Sequence, residues 1–402
     1  MAKEHKEGAY WVSAYNFKQE VLSSRKDPPK VLIHDATLRD GEQTPGVVFR
    51  KDDKVRIAKA LAALGVDRIE AGMPAVSSED FEAIVEIVSL GLSSKVFTFA
   101  RAMKEDVDQA LACGASGVVI EVPIGWPKLL HQFKWTWEDV VRKTAPVIEY
   151  AKSKGLYAVF FPYDATRARE EDLDAMFEFI MRESPPDSVG LVDTMGCASP
   201  EAIAYLVRKY KDLTGLPVEI HTHNDFGMAV ATELAAVGAG AEVVHSCVNG
   251  LGERTGNAPL EELVLGLELL YGRSTGCDLK AIPALSSLVS ELSGLPIARN
   301  KPIVGEENYT RESGIGANLV VENPLAMFAT HPALFGRKGK IVLGKKSGKP
   351  SIVYKLKELG LGERSEEELA AILAEVKRLG NERRRLLDDG EFAAIVDSVH
   401  RA

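Results

Sequence analysis

The run Leu216-Pro217-Val218-Glu219-Ile220-His221-Thr222-His223-Asn224-Asp225 decides how this chain is read. Its first half is short and largely apolar, the pattern of a buried strand. Residues two apart on a strand point to one face, so His221 and His223 stand side by side at its end. Two imidazoles so placed suit two ligands of one metal ion. They equally suit two polar residues that hydrogen-bond to their neighbours, and this stretch alone leaves both readings open.

Outward from it, similar β-rich runs recur at about 30-residue intervals, each followed by a helical pattern. They lie near 31–35, 66–71, 95–100, 117–122, 156–161, 188–193, 218–223 and 242–248. Helices are expected near 52–64, 78–90, 104–112, 138–154, 170–182, 199–213, 227–237 and 259–271. Eight βα units predict an α/β fold, a (β/α)8 TIM barrel. An open doubly wound sheet is the alternative, but no strand runs into a G-x-G-x-x-G turn.

The expected organisation is an N-terminal leader over 1–28, a barrel over 29–280 and a small, mainly helical C-terminal subdomain over 281–402. In the last part a helix near 284–292 precedes an irregular stretch, 295–350, rich in Gly, Asn and Pro. Helices near 351–359, 366–379 and 390–399 follow.

A barrel places its active site at the C-terminal ends of the strands. Polar residues gather at those positions: Arg39, Asp40 and Gln43, then Glu70, Arg101, Glu121, Tyr163, Asp164, Asp193, Thr194 and the His pair. Asp40 offers a hard oxygen ligand, and with two imidazoles it makes a mixed site for a divalent ion, zinc, manganese, magnesium or cobalt. Arg39 beside it can hold a carboxylate or steady a developing oxyanion; an Asp–Arg pair that merely ties the loop is the plainer reading. The loop Asn249-Gly250-Leu251-Gly252-Glu253-Arg254-Thr255-Gly256-Asn257 lets backbone approach a ligand closely, with the Asn257 amide oxygen as a further donor, or is a tight turn. His245 reads as a core residue, His34 as a residue near the site or a structural one, and His331 as a surface residue.

Composition narrows the partners. The 402 residues are 46% hydrophobic and carry a net charge of −9, with no basic stripe, so nucleic acid is not expected. The one basic run, Arg383-Arg384-Arg385, sits among acids and reads as a solvated helix face. No apolar stretch reaches the roughly 18 residues of a membrane span. Four cysteines without C-x-x-C spacing fit a reducing cytoplasm.

Taken together, Asp35-Ala36-Thr37-Leu38-Arg39-Asp40-Gly41-Glu42-Gln43, the His221–Asp225 motif and the loop Gly252–Asn257 resemble the D-x-T-L-R-D-G-x-Q metal-dependent barrel family. Its members include 2-isopropylmalate, homocitrate and citramalate synthases and hydroxymethylglutaryl-CoA lyase. The resemblance implies a divalent metal on Asp40, His221 and His223, with Asn257 as a further ligand. It implies a 2-oxo acid bound to that metal, Arg39 on the oxygen that becomes anionic, and Thr194 on the carboxylate. It implies an acyltransferase of amino-acid biosynthesis that condenses an acyl-CoA, acetyl-CoA above all, with the 2-oxo acid. Glu312-Ser313-Gly314-Ile315 and Val342-Leu343-Gly344-Lys345-Lys346-Ser347-Gly348 also match the family, which implies a homodimer. The chain is expected to lack the regulatory domain of feedback-controlled relatives.

The departures fall on proton transfer and the acceptor pocket. Gly316 stands where these synthases usually carry a His, and Tyr163 where they usually carry a Glu. Val122-Pro123-Ile124-Gly125-Trp126 replaces their S-x-x-H pattern. Arg39, Gln43, Glu70, Tyr163 and Asp164 are therefore the expected catalytic set, with His131 as another possible replacement, and Arg39, Arg101 and Thr194 the substrate-binding set. A lyase of the same family and a metal-binding barrel without catalysis are the alternatives; the Cys that such lyases place in the Gly-rich loop is missing from 249–257.

Overall fold

A computed structural model describes residues Glu4–Arg401. Eight parallel strands close into a barrel: β1 Leu32–Asp35, β2 Arg68–Glu70, β3 Lys95–Arg101, β4 Gly117–Pro123, β5 Tyr157–Tyr163, β6 Ser188–Asp193, β7 Val218–Thr222 and β8 Val243–Ser246. Each pairs with its sequence neighbours, and β8 closes on β1 with Val243 opposite Leu32 and Ser246 opposite Asp35. The expected barrel is the observed one, and the open sheet is excluded by that closure.

The outer layer is α1 Lys51–Leu64, α2 Ser78–Ser89, α3 Lys104–Ala112, α4 Trp137–Ser153, α5 Glu170–Glu183, α6 Pro200–Thr214, α7 Ala229–Ala239 and α8 Leu260–Leu265. Starts and stops follow local chemistry. Ser77 caps α2 and Ser199 caps α6 by accepting backbone N–H groups, and Gly65 and Gly215 end α1 and α6 in the left-handed conformation. Where one long helix was expected near 259–271, α8 is short and continues as a π-helical turn over Gly266–Leu270.

Alternation along the strands fills the barrel interior. Phe97, Phe99, Val119, Val159, Phe161 and Val192 form an apolar cluster there. Beside it runs a column of buried charge. Arg68 donates to Glu219 at 2.7 Å, Ser188 donates to Glu219 at 2.6 Å, and His245 lies 3.0 Å from the same carboxylate. His34 stacks on His245 at 4.2 Å and reaches Glu70 at 3.3 Å. Burial, with His34 next, pushes His245 down to about 4, so it is neutral at pH 7. Although His34, Glu219 and His245 converge closely enough to hold an ion, Glu219 is already satisfied by Arg68. A cation there would face a guanidinium. Two carboxylates, Glu70 and Glu219, match two guanidiniums, Arg39 and Arg68, so the column balances without an ion. His245 is the core residue expected, and His34 joins it as a structural partner.

By contact the described residues form two compact units. One is Tyr15–Ile297. The other joins the described N-terminal residues up to Ala14 with those from Ala298 onward. Helix α9, Ile282–Ser293, lies in the barrel unit, because the Ser286 carbonyl accepts from the Asn249 side chain and Ser286 Oγ donates back to it.

In the second unit Trp11 N–H donates to Ala329 O and His331 N–H to Ala9 O, which fixes the N-terminal segment to residues 329–331. Helices α10 Lys349–Glu358, α11 Glu366–Arg383 and α12 Asp389–His400 enclose a core that includes Ile352, Ile372, Val376, Phe392 and Val396. Ser365–Glu368 and Asp388–Glu391 form capping boxes at the starts of α11 and α12. The basic run is a helix end rather than a helix face: Arg384 takes a left-handed conformation, and Arg383 and Arg385 turn to Glu391. No helix among the described residues is long and apolar enough to cross a membrane.

Candidate metal centre and substrate pocket

Asp35 and Thr37 explain why the first motif turns as it does. The buried Asp35 carboxylate accepts the Thr37 N–H at 3.0 Å, and Thr37 Oγ accepts Val248 N–H at 2.8 Å. These bonds set the turn that delivers Arg39 and Asp40 to the rim. Burial pushes Asp35 up to about 7 against its hydrogen bonds.

Asp40 Oδ2 lies 3.0 Å from His221 Nε2 and 3.6 Å from His223 Nε2, and the two rings are 5.2 Å apart. All three residues are buried. Burial would raise Asp40, but Arg39 and then His221 and His223 hold it well below the usual carboxylate range. Burial also depresses both histidines, His223 to about 4, so they present neutral imidazoles. An anionic oxygen and two neutral nitrogens aimed at one point are the donor set of a divalent cation.

Asn257 adds to that fit. Its Nδ2 donates to Leu251 O at 2.9 Å, while its buried Oδ1 has no hydrogen-bond partner. The backbone brings it there: His223 and Asn257 form an isolated β-bridge, and Asn224 N–H donates to Gly256 O. Gly256 is required at φ +81°, since a Cβ would sit 1.7 Å from Gly250 O. Arg254 locks the loop, donating to Asp225 at 2.9 and 3.0 Å and to Thr194 O at 2.6 Å. The residues present therefore fit a bound metal, with Asp40, His221 and His223 as its holders and Asn257 available as a fourth.

Arg39 is held on three sides. Its Nε donates to Glu70 Oε1 at 2.7 Å, its Nη1 lies 3.4 Å from Asp40 Oδ2, and its guanidinium sits 4.3 Å over the Phe99 ring. Burial opposes ionisation of Glu70, but Arg39 and His34 bring it down to about 2. Glu70 is absent from the pocket wall and serves to position Arg39.

The pocket beside these groups is about 180 Å³. Arg39, Asp40, Gln43, Tyr163, Thr194, His221 and His223 line it together, as the sequence predicted, with Phe99, Phe161 and Val192 as apolar wall. Thr194 Oγ accepts Asp164 N–H at 2.7 Å, which leaves its own proton for a ligand oxygen. Burial, with Glu121 and Asp164 adding, raises Tyr163, so it stays a donor. A larger hollow in the second unit, about 1060 Å³ among Arg299, Lys345 and Arg384, holds none of these residues.

Besides Glu70, three expected residues are not brought to the pocket. Arg101 turns outward into a bidentate pair with Asp106, both bonds 2.9 Å, and its side chain is 55% exposed. Asp164 is buried and clamped by Arg167 at 2.7 Å through both oxygens. His131 is exposed on the π-helical turn Lys128–Phe133. Conversely, the pocket contains Glu121, Lys128 and Arg254, to which sequence reading gave no role. Only Glu121 left a signal, a lone carboxylate in the apolar run Gly117-Val118-Val119-Ile120-Glu121-Val122.

A closed parallel barrel with a carboxylate and two imidazoles converging at its C-terminal rim is the architecture of a barrel enzyme with a candidate metal site. The chain belongs to the HMGL-like family, whose model matches residues 30–289, and a homocitrate synthase post-HMGL domain-like model matches residues 303–384. It is 40% identical to homocitrate synthase AksA of Methanopyrus kandleri over 92% of this chain and 93% of that one. It is 42% identical to a probable 2-isopropylmalate synthase of Ignicoccus hospitalis, again over 92% and 93%. A putative (R)-citramalate synthase of Archaeoglobus fulgidus is 41% identical over 92% of this chain and 75% of its own. Among solved structures, HMG-CoA lyase of Bacillus subtilis matches with a TM-score of 0.60 at 19% identity, covering 69% of this chain and 98% of that one. That likeness speaks to the fold.

Proposed function

We propose that the chain joins the acyl group of an acyl-CoA, acetyl-CoA in the simplest case, to the ketone carbon of a 2-oxo acid and releases free CoA. The observation that carries this is the pocket itself: Asp40, His221 and His223 converge on one point, with Arg39 beside them and Thr194 on the wall. A divalent ion held there, zinc, manganese, magnesium or cobalt, would supply Lewis-acid polarisation of the ketone. Arg39 offers a fixed cation to the oxygen that becomes anionic. Thr194 donates to the substrate carboxylate, Gln43 and protonated Tyr163 offer further donors, and Phe99, Phe161 and Val192 keep water from the reacting carbon.

The synthase names of the relatives support this reading over a lyase. So does the pocket wall, which contains no cysteine; Cys247 is buried beneath the loop, and burial raises its thiol well above the ordinary range. The test is thiol release from acetyl-CoA by metal-loaded protein across oxaloacetate, 2-oxoglutarate, pyruvate and 2-oxoisovalerate. A signal with one of these acids is expected; silence across the panel with metal bound defeats the proposal.

The homodimer belongs to the same reading and follows from the family resemblance of Glu312–Ile315 and Val342–Gly348. Light scattering is expected to give twice the 43.7 kDa chain mass. A single-chain mass at micromolar concentration refutes it.

A further inference from the structure

We infer that Glu121 is the general base that removes the proton from the acyl-CoA carbon that becomes the new bond. The inference rests on the condensation reading above. It starts from the strand pattern. Val119 and Glu121 share the inward face of β4, Val119 in the apolar cluster and Glu121 one step nearer the rim. Its register partner on β5 is Phe161, and Tyr163 lies one step further along. The carboxyl thus enters the pocket wall on the same face as Arg39 and the metal-ligand trio.

Every other candidate in that wall is committed elsewhere. Asp40, His221 and His223 form the ligand set. Tyr163 is held protonated. Glu253 is largely exposed and lies 3.8 Å from Arg254. Asp164 and Glu70, the nearby carboxylates, are clamped by Arg167 and Arg39 and do not line the pocket. Glu121 alone among these carboxylates has neither a hydrogen bond nor an ion pair within 4 Å, although the pocket contains Arg39 and Lys128. Glu121 is half-buried, and a carboxyl that loses water on its protein side without gaining a partner there is costly to keep unless it has work to do. Burial pushes it up to about 7; Arg39 and Lys128 work against the rise, and Asp40 and Glu70 work with it. A base near the operating pH is the efficient one.

The step balances. The methyl C–H bond of acetyl-CoA breaks and its proton passes to the Glu121 carboxylate. The released electron pair forms the C–C bond to the ketone carbon, and the ketone π pair moves to its oxygen beside Arg39. That oxygen takes up one proton, matching the one that Glu121 accepted and then gives up, so the base returns to its carboxylate form. Water then splits the thioester, its hydroxyl going to the acyl carbon and its proton to the CoA sulfur.

The experiment compares wild type, Glu121→Gln and Glu121→Asp, each metal-loaded, with the 2-oxo acid found active in the panel. Glu121→Gln is expected to lower kcat on the order of 10²–10⁴-fold, with the KM for the 2-oxo acid within about threefold and bound metal unchanged. Glu121→Asp should fall between, with a larger isotope effect on CoA release from trideuteroacetyl-CoA than wild type shows. If Glu121→Gln fails to fold, the aspartate variant and its isotope effect decide alone. A kcat within about threefold of wild type in the glutamine variant overturns the inference. So does a raised KM at unchanged kcat, which marks a residue that reads the acceptor, or an aspartate variant with an unchanged isotope effect. A wild type that releases no CoA defeats the condensation reading first, and the base assignment with it.

Discussion

His223→Ala is expected to lose CoA release by on the order of 10³-fold or more, and to purify with less than one metal per chain. The loss follows from the donor set. His223 is buried, its Nε2 lies 3.6 Å from Asp40 Oδ2, and its backbone bridges to Asn257. Without its imidazole, one of the three converging donors is gone, and the Asn257 amide oxygen is a weaker substitute for it. The fold should survive, because the ring makes no hydrogen bond to the core through its Nδ1. Chelation of the wild type should give the same silence, reversed by one of the four candidate ions. Metal analysis beside the thiol assay separates the outcomes. A His223→Ala protein that keeps both its metal and its activity sinks the ligand assignment. One that keeps metal but loses activity moves the residue from ligand to substrate contact.

Arg39→Lys should lower kcat/KM on the order of 10²–10³-fold while the protein melts near the wild-type temperature. Lysine keeps the positive charge that buried Glu70 needs, but it has no planar fork to span Glu70 and Asp40 at once. It also lies less well over the Phe99 ring. Arg39→Met removes the charge as well. It leaves Glu70, with a side chain 0% exposed, uncompensated in the core. The expected cost is about 3–5 kcal/mol of folding stability. Denaturant titration of both variants, read with the kinetics, distinguishes the roles. If methionine is tolerated without loss of stability, the column of charge from Arg68 to Arg39 is not the coupled unit described. If lysine is as active as arginine, Arg39 is a charge to the site and nothing more.

The positions that were legible in the sequence are those fixed by backbone period and by short-range turns. Short, largely apolar runs recurring at about 30 residues located all eight strands, because a strand buried on both faces has few other ways to be written. His221 and His223 were legible because they sit on and directly after a strand, where the Cβ direction follows from parity alone, and Asp40 because it stands on the loop that follows β1 at the same rim. Asn257 was legible because the glycines around it announce a loop whose backbone comes close to something.

The structure alone decided where long side chains end. Arg101 has the inward parity of Phe97 and Phe99, yet it lies at the strand end, and Asp106 five residues later draws its guanidinium outward. Asp164 stands at the rim after a strand, as the loop residue Asp40 does, but Arg167 occupies both of its oxygens. Glu70 reads as a site residue and proves to be a brace beneath Arg39, because its partners come from β1 and its loop. Glu121 is the converse case: a charged residue inside an apolar strand is visible at once, but its lack of a partner emerges only when every neighbouring element is in place. Period and adjacency along one chain set the barrel, its rim and the trio Asp40, His221 and His223 that is proposed to hold the metal. Which carboxylates are braced and which one is left free in the pocket depends on ion pairs between elements far apart in sequence, and only the folded barrel decides that.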